Sequence, residues 1–188
     1  MSRDNRLYIL VEGGIVAVLA ALLSYATITI GGTMALVFGG LPLTIFALRR
    51  GLKPALAAGL LWGLLQWVLG NAIILSLVQF IVEYPIAFAF NGLAGLAFIP
   101  FQKALRQGHN GTAHGWLWGA AFIGTFARYV WHFLGGMWFW SANLPAGISA
   151  AWFSFVPNFL SIPLTAIPIA IVLSVIYSLN KKLYLPKR

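Results

Sequence analysis

Cysteine is absent from the 188 residues, which excludes a disulfide framework, a thiolate metal site and a cysteine nucleophile. Acidic residues are nearly absent. Asp4, Glu12 and Glu83 are the only three, and a single intramembrane carboxylate does not make an acid–base pair. Charged residues together form 8% of the chain, against roughly 25% in a soluble domain. Also missing are a Walker A sequence to cradle nucleotide phosphates, an H-E-x-x-H helix and a G-x-S-x-G elbow. These gaps argue against an enzyme and against any energy source within the chain itself. What is plentiful is apolar surface: 61% of residues are hydrophobic, and about 20 of them in a row span a bilayer. The expectation is an all-α membrane protein, one domain over residues 1–188, with six transmembrane helices in one bundle.

Charge divides the chain. Residues 7–48 hold one charge, Glu12; residues 54–102 hold one, Glu83; residues 107–180 hold one, Arg128. Each stretch is long enough for two spans, broken at Gly31-Gly32, near Gly70-Asn71, and over Ser141–Pro145, all turn chemistry. The predicted helices are 7–29, 33–48, 54–69, 72–102, 115–140 and 150–179. A start of MSRDNR before an apolar run resembles a signal peptide; residues 7–29 are long for one, which favours a retained first helix. Eleven of the twelve basic residues, all but Arg128, fall in alternate loops and at the two ends. The positive-inside rule makes that side cytoplasmic, with both termini on it. The net charge of +9 therefore reads as topology, not as a nucleic-acid surface.

Ionisable residues inside a membrane are costly and usually face a cavity. Glu83 lies about 16 Å below the outer end of its helix, Arg128 about 18 Å, Tyr129 about 16 Å, and His132 and Asn158 about 12 Å, at 1.5 Å per residue. Three helices thus bring polar groups to one level in the outer half of the membrane. Arg128, Tyr129 and His132 share a face at i,i+3 and i,i+4 spacing. Gln79 precedes Glu83 by one turn, and Pro85 should kink the helix beside the carboxylate. Two readings compete: a buried Glu83–Arg128 ion pair, or a ligand cavity, which also accounts for His132 and Asn158. Trp138 and Trp140 fit an interfacial aromatic belt, with Trp140 a candidate for the cavity rim. Glu12 is expected to snorkel to the cytoplasmic surface. On helix one, Gly13, Ala17 and Ala21 form a small-residue stripe, a candidate surface for a partner protein.

Ile74–Ala89 (ILSLVQFIVEYPIAFA) and Arg128–Trp140 (RYVWHFLGGMWFW), with Leu48–Gly51 and Gly59–Gly63, carry a more specific signal. Over most of residues 7–170 the chain resembles the thiamine-specific S components (the ThiT or YuaJ family) of energy-coupling factor (ECF) transporters. The resemblance implies a multi-pass subunit of a bacterial cell membrane that binds thiamine. It would work with a transmembrane T component and two cytoplasmic ATPase subunits, which use the ATP; no cofactor, metal or nucleic acid is implied. It places ligand binding at Glu83, Tyr84, Arg128, Tyr129, His132, Trp140 and Asn158. Phe153 stands in the same set where family members often have a tyrosine, which removes a hydroxyl. Pro157 before Asn158 is atypical, and Gly32 and Thr33 occupy a loop where some members have a tryptophan. The carboxylate would meet the thiazolium charge, while Trp140 and His132 offer ring faces. The same architecture with another cationic or aromatic vitamin is the alternative; a membrane enzyme or a proton-coupled transporter acting alone ranks below it.

Overall fold

The computed structural model describes residues 3–30, 34–141, 144 and 147–186. The expected breaks at Gly31-Gly32 and at Ala142, Asn143 and Pro145, the loop position Thr33, and the basic Lys187 and Arg188 lie outside them. The described residues form six helical rods and one small sheet. The rods are α1 (Arg3–Leu23), α2 (Gly40–Arg50), α3 (Leu52–Val68), α4 (Leu77–Arg106), α5 (Asn110–Phe139) and α6 (Ala150–Leu179). Between α1 and α2, strands β1 (Ile28–Ile30) and β2 (Met34–Leu36) pair antiparallel, with Ile28 opposite Leu36.

That hairpin corrects the expectation of a purely helical chain with a second helix from residue 33. The strands are three residues each, too short to show alternation against an apolar background. β2 is anchored on α6: the Ala35 N–H donates to Ser161 Oγ at 2.9 Å, and Thr165 Oγ1 donates to the Ala35 carbonyl at 3.0 Å. Val37 N–H donates to Thr165 Oγ1 at 3.3 Å, and the Tyr129 hydroxyl of α5 reaches the Ala35 carbonyl at 2.9 Å.

α3 ends where expected. Gly70 adopts φ +72°, and the Asn71 N–H returns to the Gln66 carbonyl at 2.8 Å, a left-handed cap that favours glycine. α4 begins at residue 77, not 72, because Ser76 is its N-cap, accepting the Gln79 N–H at 3.1 Å. The rod is interrupted. Val82–Ile86, around Pro85, forms a π-helical turn, and Gly92–Ala97 is 3-10 helix. A proline inside a helix withholds an N–H and clashes with the preceding turn; widening that turn relieves both. The expected kink beside Glu83 is thus a π turn.

The surface is apolar and the interior small. Leu10, Val68 and Ile99 are over 70% exposed, while Ala17, Ala20, Ala21, Ala47 and Ala55 are fully buried. Small residues at helix contacts are what membrane bundles use in place of a hydrophobic drive. Gly59 and Gly63 let α3 lie on α4: a Cβ on Gly63 would stand 2.8 Å from Pro85 Cα. Asn5–Ala26, Leu77–Arg106 and Ala150–Leu179 are long and apolar enough to cross a membrane.

The stripe on α1 is consumed by the same packing. A Cβ on Gly13 would meet the Phe46 ring at 3.3 Å, and Ala17 and Ala21 sit in a cluster with Leu43, Phe46 and Trp62. Gly13, Ala17 and Ala21 are therefore internal contacts of the bundle, which overturns their reading as a partner surface. Glu12 does not snorkel alone. It binds Arg50 at 2.6 Å and Arg49 at 3.1 Å, tying α1 to the end of α2. Beyond α6, Lys181–Tyr184 turns back into the bundle. Tyr184 is fully buried, its hydroxyl on the Leu173 carbonyl at 2.8 Å, and Gln102 donates to the carbonyls of Leu48 and Tyr184.

Candidate functional site

Three helices supply one cavity of about 260 Å³, lined by Glu83 of α4, His132, Gly136 and Trp140 of α5, and Phe153, Ser154, Pro157 and Asn158 of α6. Glu83 is buried. Its carboxylate accepts the Trp140 indole N–H at 3.1 Å and the Gln79 side-chain amide on its other oxygen. Gln79 is fixed in turn by the non-helical stretch before α4, donating to the Ile73 carbonyl at 3.1 Å and accepting the Leu75 N–H at 3.0 Å. Among the described residues Glu83 has no ion-pair partner; the ion pairs there join Arg49 and Arg50 to Glu12. The Glu83–Arg128 pair considered from the sequence is not formed.

Arg128 sits behind the cavity. Its guanidinium lies 4.2 Å from the Phe88 ring centroid, 5.1 Å from Trp62 and 5.4 Å from Tyr129, where aromatic faces offset buried positive charge. Its Nε donates to His132 Nε2 at 3.2 Å. That nitrogen is therefore the acceptor, and the imidazole proton belongs on Nδ1. Arg128 fixes the tautomer of His132 and does not itself line the cavity.

Of the other expected residues, Trp140, Phe153 and Asn158 line it. Asn158 is held on its own helix, Nδ2 donating to the Ser154 carbonyl at 2.8 Å and to Ser154 Oγ at 3.3 Å. Pro157 withholds the N–H that would otherwise bond the Phe153 carbonyl, which favours an acceptor at this wall. Two expected residues turn elsewhere. Tyr84 stacks between Phe80 and Phe88, and its hydroxyl accepts the Ile73 N–H at 2.8 Å. Tyr129 holds the hairpin on α6 through Ala35 and Thr165.

Sequence reasoning missed Gly135, Gly136 and Ser154. A Cβ on Gly135 would occupy the space of the Glu83 carboxyl group, and one on Gly136 would run into Ser154. The signal was present as the glycine pair between His132 and Trp140. Ser154 carries the contact onward, donating to the Phe133 carbonyl at 2.7 Å.

The arrangement is a small polar and aromatic pocket with one carboxylate, one neutral imidazole, an indole and an amide. Such a set suits a cationic aromatic ligand. Comparisons with known proteins identify the family. Residues 10–185 match the model of the family described as Thiamine transporter protein (Thia_YuaJ). The chain is 36% identical to the thiamine transporter ThiT of Lacticaseibacillus paracasei, over 100% of this chain and 95% of that one. It is 28% identical to the thiamine transporter ThiT of Bacillus subtilis, over 94% of each. The solved structure of ThiT from Listeria monocytogenes superposes with a TM-score of 0.91 at 38% identity, covering 96% of this chain and 99% of that one.

Proposed function

Because the chain belongs to the thiamine transporter family of multi-pass bacterial membrane proteins, whose members are not enzymes, we propose that it is the thiamine-capturing subunit of an ECF importer. The rods form one bundle across the membrane, the short α2 (11 residues) completing its passage with the hairpin that precedes it; both termini are cytoplasmic, and the cavity lies in the outer half. A T component and two ATPases energise release, since the sequence holds no nucleotide-binding motif.

The observation that carries this reading is the Glu83 carboxylate. It faces the cavity, held by two neutral donors and matched by no cation of the described chain. A ligand bearing a permanent positive charge supplies the missing partner. Trp140 and His132 offer ring faces to a thiazolium or pyrimidine, and the Asn158 amide and the wall at Phe153–Pro157 orient polar edges.

Glu83→Gln tests the reading. Glutamine keeps the size and removes the charge; its single amide oxygen retains one of the two hydrogen bonds, and no longer burying a charge offsets loss of the other. Thiamine binding to the purified variant, measured by calorimetry, should weaken by about 2 kcal/mol, roughly 30-fold, while thermal stability without ligand changes little. Wild-type affinity in this variant would overturn the reading.

A further inference from the structure

α6 carries three prolines, Pro157, Pro163 and Pro168, and the first stands in the wall of the cavity. In an α-helix each N–H donates to the carbonyl four residues back; proline has none to give. Around Pro85 the chain answers this by widening to a π turn, whereas α6 stays α-helical through Pro157. The Phe153 carbonyl therefore meets a ring nitrogen where it would otherwise meet an N–H. The side-chain donors beside it are committed elsewhere. Ser154 Oγ donates to the Phe133 carbonyl at 2.7 Å, and Asn158 Nδ2 donates to the Ser154 carbonyl at 2.8 Å and to Ser154 Oγ at 3.3 Å. Within a membrane, backbone groups left open in this way are tolerated where they line a cavity. Phe153 and Pro157, one turn apart on the same face, both line this one.

The other lining groups give the wall its character. Asn158 directs its amide hydrogens to Ser154, so Oδ1 remains as an acceptor. Trp140 donates its indole N–H to Glu83. His132 Nε2 accepts from Arg128, which leaves Nδ1–H as the donor of that side chain. The cavity thus meets a ligand with a carboxylate from α4, a ring N–H from α5, and an amide oxygen and a main-chain carbonyl from α6. The complement of the α6 wall is a group that donates.

On the reading of this cavity as a thiamine site, we propose that Pro157 determines specificity: it frees the Phe153 carbonyl to accept an N–H from a ligand's aromatic amino group, and so selects an aminopyrimidine over its oxo counterpart. Pro157 is a positioning residue that acts through the Phe153 carbonyl. An oxo group in place of the amino group sets oxygen against oxygen and leaves the wall's acceptors without a partner, the condition under which a site built for hydrogen bonding rejects an analogue.

Calorimetric titration of the purified chain with thiamine and with oxythiamine tests this; oxythiamine carries oxo for the pyrimidine amino group and keeps the thiazolium. The unaltered chain should prefer thiamine. Pro157→Ala supplies the N–H that closes the helical bond to Phe153, and alanine is the better helix former, so folding is not impaired. The variant should narrow the preference by about tenfold, the scale of one hydrogen bond, by weakening thiamine and not oxythiamine. Pro163→Ala, at an exposed position of the same helix, should leave the preference unchanged. Glu83→Gln should weaken both ligands alike, because both carry the thiazolium charge. If both ligands bind and their ratio is unmoved by Pro157→Ala, or is moved as far by Pro163→Ala, this inference alone is overturned. Failure of the unaltered chain to bind either ligand overturns it together with the thiamine reading.

Discussion

At the scale of single residues, the site depends on an absent side chain as much as on present ones. The Glu83 carboxyl group occupies the space a Cβ on Gly135 would take. Gly135→Ala must therefore displace the carboxylate, breaking its alignment with Trp140. Thiamine affinity should fall at least tenfold, about 1.4 kcal/mol, in a titration of the purified variant; a variant that binds normally would show that the carboxylate has freedom to move. Glu83, His132 and Asn158, which line the cavity, were legible because apolar helices leave few polar residues to choose among; Trp140 was a rim candidate, and Phe153 came only from the family resemblance. Tyr84, Tyr129 and Arg128, expected with them, do not line the cavity in the structure, for a geometric reason. Adjacent residues on a helix point about 100° apart, so Glu83 and Tyr84 do not both face one cavity; Arg128 and Tyr129 share a face with His132 but lie a turn deeper, behind it. Depth was readable from counting; direction required the packing partners.

Among elements, the rods were legible and the connection between the first two was not. α3, α5 and α6 lie within a few residues of expectation, because charge and turn residues bound them. The hairpin was hidden because three-residue strands made of Ile, Thr, Met, Ala and Leu also read as helix. Of the three hydroxyls that attach it, Thr165 serves two backbone groups. Thr165→Val keeps the shape and leaves the Val37 N–H without its acceptor, at a cost of about 1–2 kcal/mol. Thermal unfolding in detergent should shift down by about 3 °C or more; no shift would mean the hairpin contributes nothing to the fold. The stripe on α1 yields a contrasting expectation. Ala17 is fully buried, so Ala17→Trp should lower stability and thiamine binding together, by overpacking of about 1–3 kcal/mol or more. Normal stability with loss only of partner subunits would restore the stripe as a docking surface.

For the whole molecule, the orientation proposed rests on charge. Asn71 and Arg106 are both exposed, at opposite ends of their rods. With single cysteines introduced in turn, Asn71→Cys should react with an impermeant thiol reagent applied to intact cells, and Arg106→Cys should not. The reverse pattern would invert the protein in the membrane and move the cavity to the other leaflet. The burial of Tyr184 bears on how the protein is made. Its ring fills a space bounded by Phe101 of α4 and Tyr177 of α6, and its carbonyl shares Gln102 with Leu48 of α2. Helices inserted earlier thus await a residue translated after the sixth rod. Until residue 184 leaves the ribosome, α2, α4 and α6 surround a void the size of a tyrosine, and their native packing is reached only after elongation has passed that rod.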